Sequence, residues 1–111
     1  MNEKYERQIK KGVLDMLVLR LLEKEPKYGY QIIQELREKS GEAFLLKDGT
    51  LYPILYRLED EGLAEGKWQE AEGRQTPRKY YQITEKGRLA LQEIKAIWEQ
   101  ISEGISRIME E

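Results

Sequence analysis

Between Gly49 and Leu63 the chain reads Gly-Thr-Leu-Tyr-Pro-Ile-Leu-Tyr-Arg-Leu-Glu-Asp-Glu-Gly-Leu. Thr50, Tyr52, Tyr56 and Arg57 bring hydroxyl and guanidinium groups, which hydrogen-bond to phosphate oxygens and base edges. Leu51, Leu55 and Leu58 recur at helical spacing as one apolar stripe, and the four polar side chains fall largely off it. Gly62 then stops the helix. One face would hold such a helix to a core while the other offers polar groups outward. That is the layout of a recognition helix, and its chemistry is the reading of a DNA groove. Thr50, Tyr52 and Arg57 are expected in the major groove, with Tyr56 at its edge. Two of them have a plain structural alternative. Tyr52 can turn inward beside the leucines, and Arg57 can pair with Glu61 one turn on.

Further groups of the same chemistry lie elsewhere. Arg74, Arg78 and Lys79 cluster around a polar stretch and suit phosphate or minor-groove contact, although Arg78 or Lys79 can instead support a sheet. Tyr30 and Gln31 open a helix, where side chains and free N–H groups hold phosphate, while Tyr28 fits a core equally well. Lys11, with Lys4, Arg7 and Lys10, can reach flanking phosphates.

Catalysis has few groups to work with. The 111 residues contain no Cys and no His, so thiolate nucleophiles, the commonest metal ligands and the commonest general base are absent. No metal or cofactor is expected, and an enzyme is the least favoured class. The apolar run Val13–Leu22 is broken by Asp15 and Arg20, so it is no membrane span. No cleavable signal sequence is apparent, and a cytoplasmic protein is the default. Apolar residues make up 40% and charged residues 36%, which suits a folded, highly soluble single domain.

The net charge of −2 argues weakly against a nucleic-acid partner. Its distribution is more informative. Residues 1–11 and residues 67–79 each carry a surplus of two positive charges, whereas the last helix collects Glu93, Glu99, Glu103, Glu110 and Glu111 against Lys95 and Arg107. One face can therefore be basic, although a solvated mixed surface accounts for the composition as well.

These side chains need elements to position them. Apolar residues on nearly every side predict a central helix over residues 9–25. Pro26 and Gly29 break that pattern, and a second helix follows from about Tyr28 to Ser40 with Ile32, Ile33 and Leu36 inward. Ala43–Leu46 is a short apolar connector. Asp48 or Thr50 is the expected N-cap of the third helix, which places Pro53 in or near its first turn. Leu63–Gln69 and Arg78–Ile83, separated by a glycine-containing polar stretch, read as a two-stranded hairpin with a basic tip. Thr84 caps a last helix, in whose first turn Gly87 suggests close approach to another backbone. The fold class is mainly α with a small antiparallel β-hairpin. The order is that of a winged helix-turn-helix over residues 1–84, followed by a C-terminal dimerisation helix over 85–111, in one compact unit.

In the last helix Leu91, Ile94, Trp98, Ile101, Ile105 and Ile108 are spaced 3, 4, 3, 4 and 3, an a/d seam. A second copy of the same helix is the economical partner, giving a symmetric homodimer. Trp98, mid-seam, is either a large aromatic packed at that interface or the flat wall of a small-molecule pocket.

Taken together, Lys11-Gly12, Leu19 and Leu22, then Tyr28-Gly29-Tyr30-Gln31-Ile32, then Gly49-Thr50-Leu51-Tyr52-Pro53 with Leu58-Glu59 and Gly62-Leu63 resemble the PadR family of transcriptional regulators. Trp68, Gly73, Arg78-Lys79-Tyr80-Tyr81, Ile83-Thr84 and Gly87 extend the match over essentially the whole chain. The single C-terminal helix is similar to the short subfamily, including its multidrug-binding members. The resemblance implies a homodimeric repressor on an inverted repeat in promoter DNA, responding to phenolic acids, hydrophobic drugs or other signals. Trp98 matches the position where a multidrug-binding member stacks flat aromatic ligands between subunits, which makes Ile94 and Ile101 candidate pocket neighbours. The reading from another class is a winged-helix protein–protein module that does not read DNA.

Overall fold

The computed structural model describes residues 3–70, 73 and 76–111. Its elements run α1 (Glu3–Lys10), α2 (Leu14–Lys24), β1 (Lys27–Tyr28), α3 (Gly29–Lys39), α4 (Asp48–Asp60), β2 (Ala64–Gln69), β3 (Arg78–Ile83) and α5 (Glu85–Met109). The core follows from the apolar periodicity. Val18 and Leu19 of α2, Ile32 of α3, and Leu51 and Leu55 of α4 are fully buried, and Tyr81 closes the cluster from the sheet. The fold is a winged helix, mostly helical, with a small antiparallel sheet and a long last helix.

Three expectations are corrected. The helix expected over residues 9–25 is two helices. Lys11–Val13 forms a turn, with Val13 N–H donating to the Lys10 carbonyl at 3.0 Å. Gly12 lies at that break, where its poor helix propensity is decisive once neighbours do not hold it. The hairpin becomes a three-stranded sheet in the order β1-β3-β2, because Lys27 and Tyr28 pair with Tyr81 and Tyr80. Finally, α4 begins at Asp48 with Lys47 in the N-cap position and no side-chain cap bond, so neither Asp48 nor Thr50 caps it. Pro53 lies inside the helix, just past its first turn, and the Gly49 carbonyl loses its usual i+4 donor.

Thr84 caps α5 and Gly87 lies against another backbone, both as expected. Thr84 Oγ1 accepts from Gly87 N–H at 3.0 Å and donates to the Gly62 carbonyl at 2.7 Å. A Cβ on Gly87 would collide with the Leu63 carbonyl. With 25 residues, α5 is about 37 Å long at 1.5 Å per residue. The radius of gyration is 15.7 Å, against about 13 Å for a compact chain of this length. Neither α1 nor the part of α5 beyond Leu91 has a buried residue.

Candidate nucleic-acid interface

The outward face of α4 is defined by what its other faces bury. Leu51, Ile54, Leu55 and Leu58 are in the core, so a 3.6-residue period turns Gly49, Pro53 and Tyr56 away from it. Thr50 lies on the flank toward α2 and is exposed. Tyr56 is 52% exposed, the largest side chain on the free face.

Tyr52 takes its structural alternative. It is half-buried, and its hydroxyl end lies over Gly29 so closely that a Cβ there would collide with it. Gly29 thus lets α4 seat against the start of α3. Helix–helix contact is what Tyr52 supplies here, and its ring is tilted by 34° to that of Tyr56, centroids 6.0 Å apart.

Arg57, on one flank of α4, and Lys79, beside the other, are both occupied. Arg57 donates to the carboxylate of Asp15 on α2, rather than pairing with Glu61. That hydrogen bond raises the guanidinium's already high pKa. On the other flank Lys79 Nζ donates to Glu59 at 2.9 Å, in a space that opens because Gly66 carries no side chain. The ammonium also lies 5.7 Å from the Tyr56 ring centroid and 5.1 Å from that of Tyr81. The bond to Glu59 dominates and raises the Lys79 pKa, while burial opposes it.

Around this helix the remaining candidates divide. Arg78 and Lys79 are the first residues of β3, as the strand reading of Arg78–Ile83 expects. Arg78 lies over the Tyr28 ring at 4.4 Å, and Tyr28 meets Tyr80 edge-on at 5.4 Å, so these residues form a cation–aromatic stack on the outer face of the sheet. Gln31 Oε1 accepts from the Tyr28 N–H at 3.1 Å and caps α3. Tyr30 is exposed, its hydroxyl accepting from Gln34 Nε2 at 2.9 Å. Lys11 is exposed in the turn between α1 and α2. Arg74 lies outside the described residues.

Sequence reasoning missed Lys27. It is buried, yet its ammonium reaches Glu35 at 2.9 Å and Glu25 at 3.1 Å, and Glu35 also meets Lys39 at 2.8 Å. Burial pulls the Lys27 pKa down, but the two carboxylates outweigh it and leave it raised. Burial likewise pushes Glu35 up, and its two lysine partners bring it below the usual carboxylate range. The network locks β1 to α3, fixing that helix against the sheet. Two glutamates bracketing a lysine in sequence were the available signal, too common to be informative. Among the described residues, no cluster of acids suited to a metal ion is found.

The seam of α5 divides in two. Leu91 is buried in the chain's own core and Ile94 packs partly against it, so Leu91 needs no second subunit to cover it, contrary to expectation. Trp98, Ile101, Ile105 and Ile108 remain exposed, the last by 70%. Trp98 lines an open groove of about 540 Å³ between α2 and α5 with Val13, Met16, Phe44 and Leu91. Ile94 and Ile101 do not line it.

A reading helix held by its apolar face, a wing beside it and a long C-terminal helix define a winged-helix regulator. Residues 18–93 match the model of the transcriptional regulator PadR-like family. A PadR family transcriptional regulator from Eggerthella lenta superposes with a TM-score of 0.85 at 34% identity, covering 97% of this chain and 91% of that one. A PadR-like transcription factor from Bacteroides fragilis gives 0.77 at 38% identity over 95% and 98%. The transcriptional regulator Rv3488 of Mycobacterium tuberculosis is 36% identical over 75 residues, 68% of this chain and 65% of that one. The chain belongs to the PadR-like family of transcriptional regulators, which are not enzymes.

Proposed function

We propose that the chain is a homodimeric repressor that reads an inverted-repeat promoter operator in the cytoplasm. Residues 1–84 form the reading unit and 85–111 the dimerisation helix. The observation that carries this reading is the asymmetry of α4, whose leucines are wholly buried while Thr50, Pro53 and Tyr56 stand free. Thr50 and Tyr56 contact base edges in the major groove, and Tyr52 and Arg57 take part from the flanks. Lys11, Tyr30 and Gln31 contact backbone phosphates, and the wing does so through Arg74, Arg78 and Lys79. The exposed Trp98, Ile101, Ile105 and Ile108 meet their copies in the partner, and two-fold symmetry then fixes the half-site spacing. A small aromatic or hydrophobic effector, entering beside Trp98 with Ile94 and Ile101 near it, changes the angle between the two reading heads and releases DNA.

The test is a mobility-shift titration on the DNA upstream of the chain's own gene, repeated at rising salt. A shifted band that weakens steeply with salt and outlasts an unrelated duplex is expected; no shift at low salt refutes the reading. For the effector, quenching of tryptophan fluorescence by flat aromatic compounds should vanish in Trp98→Ala while the dimer persists. The protein–protein module is favoured by one observation, that Arg57 and Lys79 are both already paired. The same titration separates the two.

A further inference from the structure

Resting on the DNA-binding reading, we propose that Asp15 and Glu59 are specificity-setting acids, which hold Arg57 and Lys79 away from the phosphates of unrelated DNA. Arg57 on one flank of the reading helix faces α2, Lys79 beside the other flank comes from the sheet, and each is held by a carboxylate. Asp15 reaches Arg57 across 42 positions of sequence, so the pair is made by the fold rather than by helical neighbours. Between them the free face carries the uncharged Pro53 and the Tyr56 phenol, with Asp60 at its far end.

Binding to unrelated DNA comes from neutralising phosphates, and every cation that does so strengthens all sequences alike. A guanidinium already neutralised by a carboxylate gains little from a phosphate, because it must first give up an equal bond. Such a cation contributes only where the rest of the interface positions the duplex to compete with the acid. Discrimination by weakening the wrong partners is the usual way to specificity when attraction is unselective. Arg57 keeps about half of its side chain exposed, whereas Lys79 keeps 24%. Arg57 is therefore the cation that a removed acid would release most fully, and Asp15 the acid with the larger effect.

A simple brace between α2 and α4 predicts something different. Losing a brace loosens α4, so stability and affinity for every duplex fall together. Losing a specificity-setting acid raises affinity for unrelated DNA and adds a phosphate contact. Exposed ion pairs contribute little to folding, and α4 is anchored independently by Leu51, Leu55 and Leu58.

The experiment compares wild type, Asp15→Asn and Asp15→Asn/Arg57→Gln on two duplexes. One is the chain's own upstream region and the other a shuffled duplex of equal length, each followed by anisotropy over rising KCl. Asp15→Asn is expected to bind the shuffled duplex roughly three- to tenfold more tightly at low salt. Its salt slope on the shuffled duplex should steepen by about one, the operator preference should shrink, and the double variant should return affinity and slope on the shuffled duplex to wild type. Glu59→Gln should act in the same direction and less. Asp15→Ser, a second helix-start residue, should reproduce the Asn result if Asn disturbs folding. An Asp15→Asn chain with unchanged slope and preference overturns the proposal. So does a gain that survives in the double variant, or a fall on both duplexes with a lowered melting temperature. A wild type that binds neither duplex overturns the DNA reading itself, and the proposal with it.

Discussion

The reading helix α4 and the C-terminal helix α5 are both amphipathic, but only one finds its partners within the chain. Leu51 and Leu55 of α4 are fully buried, whereas Ile101 and Ile105 of α5 are each 55% exposed. Arg57 and Lys79 beside α4 are paired and its junctions are hydrogen-bonded. Beyond Ile94, α5 presents Trp98, four isoleucines (Ile97, Ile101, Ile105 and Ile108) and Met109 to solvent. Contiguous apolar surface of this kind on a folded chain signals an unfilled interface. The apolar face of α4 is therefore covered within one chain, and that of distal α5 is not.

The widest break in that comparison comes from charging the open helix. Ile101→Glu/Ile105→Glu should leave the circular dichroism and melting of the single chain nearly unchanged, since neither residue enters the core. Sedimentation should show a monomer, and affinity for a full inverted repeat should fall by about 100-fold or more, because the second half-site is no longer bound intramolecularly. A double variant that still sediments as a dimer would remove α5 as the interface.

A substitution of similar size on the closed helix should behave oppositely. Leu55→Ala deletes a fully buried side chain and should cost about 3 kcal/mol in denaturant unfolding, at any protein concentration. Ile105→Ala should cost less, and its cost should depend on concentration, as expected for a residue stabilised only by association. Equal and concentration-independent losses would show that α5 folds back on its own chain. At the boundary between the two regions, Gly87→Ala places a Cβ against the Leu63 carbonyl and Ile83. Backbone cannot move aside as a side chain can, so a loss of about 2 kcal/mol is expected on thermal unfolding.

The comparison also separates what the sequence revealed from what it hid. Buried α4 leucines and the exposed α5 seam both follow a 3.6-residue or heptad period, so both helices were legible. That Leu91 would be buried by α2 was not, because a period shows which residues share a face and not what covers it. The strand at Lys27–Tyr28 was illegible for another reason. Two residues show no alternation, and a lysine is rarely a core residue unless tertiary partners arrive. Glu35 is such a partner, on the following helix. The site was legible in its residue types and less so in their roles. Nothing near Arg57 in sequence announces Asp15, and the inward turn of Tyr52 depends on the missing side chain of Gly29.

The smallest expected effect tests how the closed helix controls the open one. Thr84 Oγ1 accepts from Gly87 N–H and donates to the Gly62 carbonyl, and Lys86 Nζ donates to the Glu61 carbonyl at 2.8 Å. The end of α4 and the start of α5 are thus tied by side chains as well as by the chain itself. Thr84→Ala removes an N-cap and one of those ties, for a loss of about 1 kcal/mol. Thr84→Ser keeps the oxygen and should restore most of it. Because the cap sets the direction in which α5 leaves the head, Thr84→Ala should also tolerate an operator with one base pair inserted between half-sites better than wild type does. If the alanine variant loses stability but keeps the wild-type spacing preference, the spacing is set further along α5, at the seam from Trp98 onward.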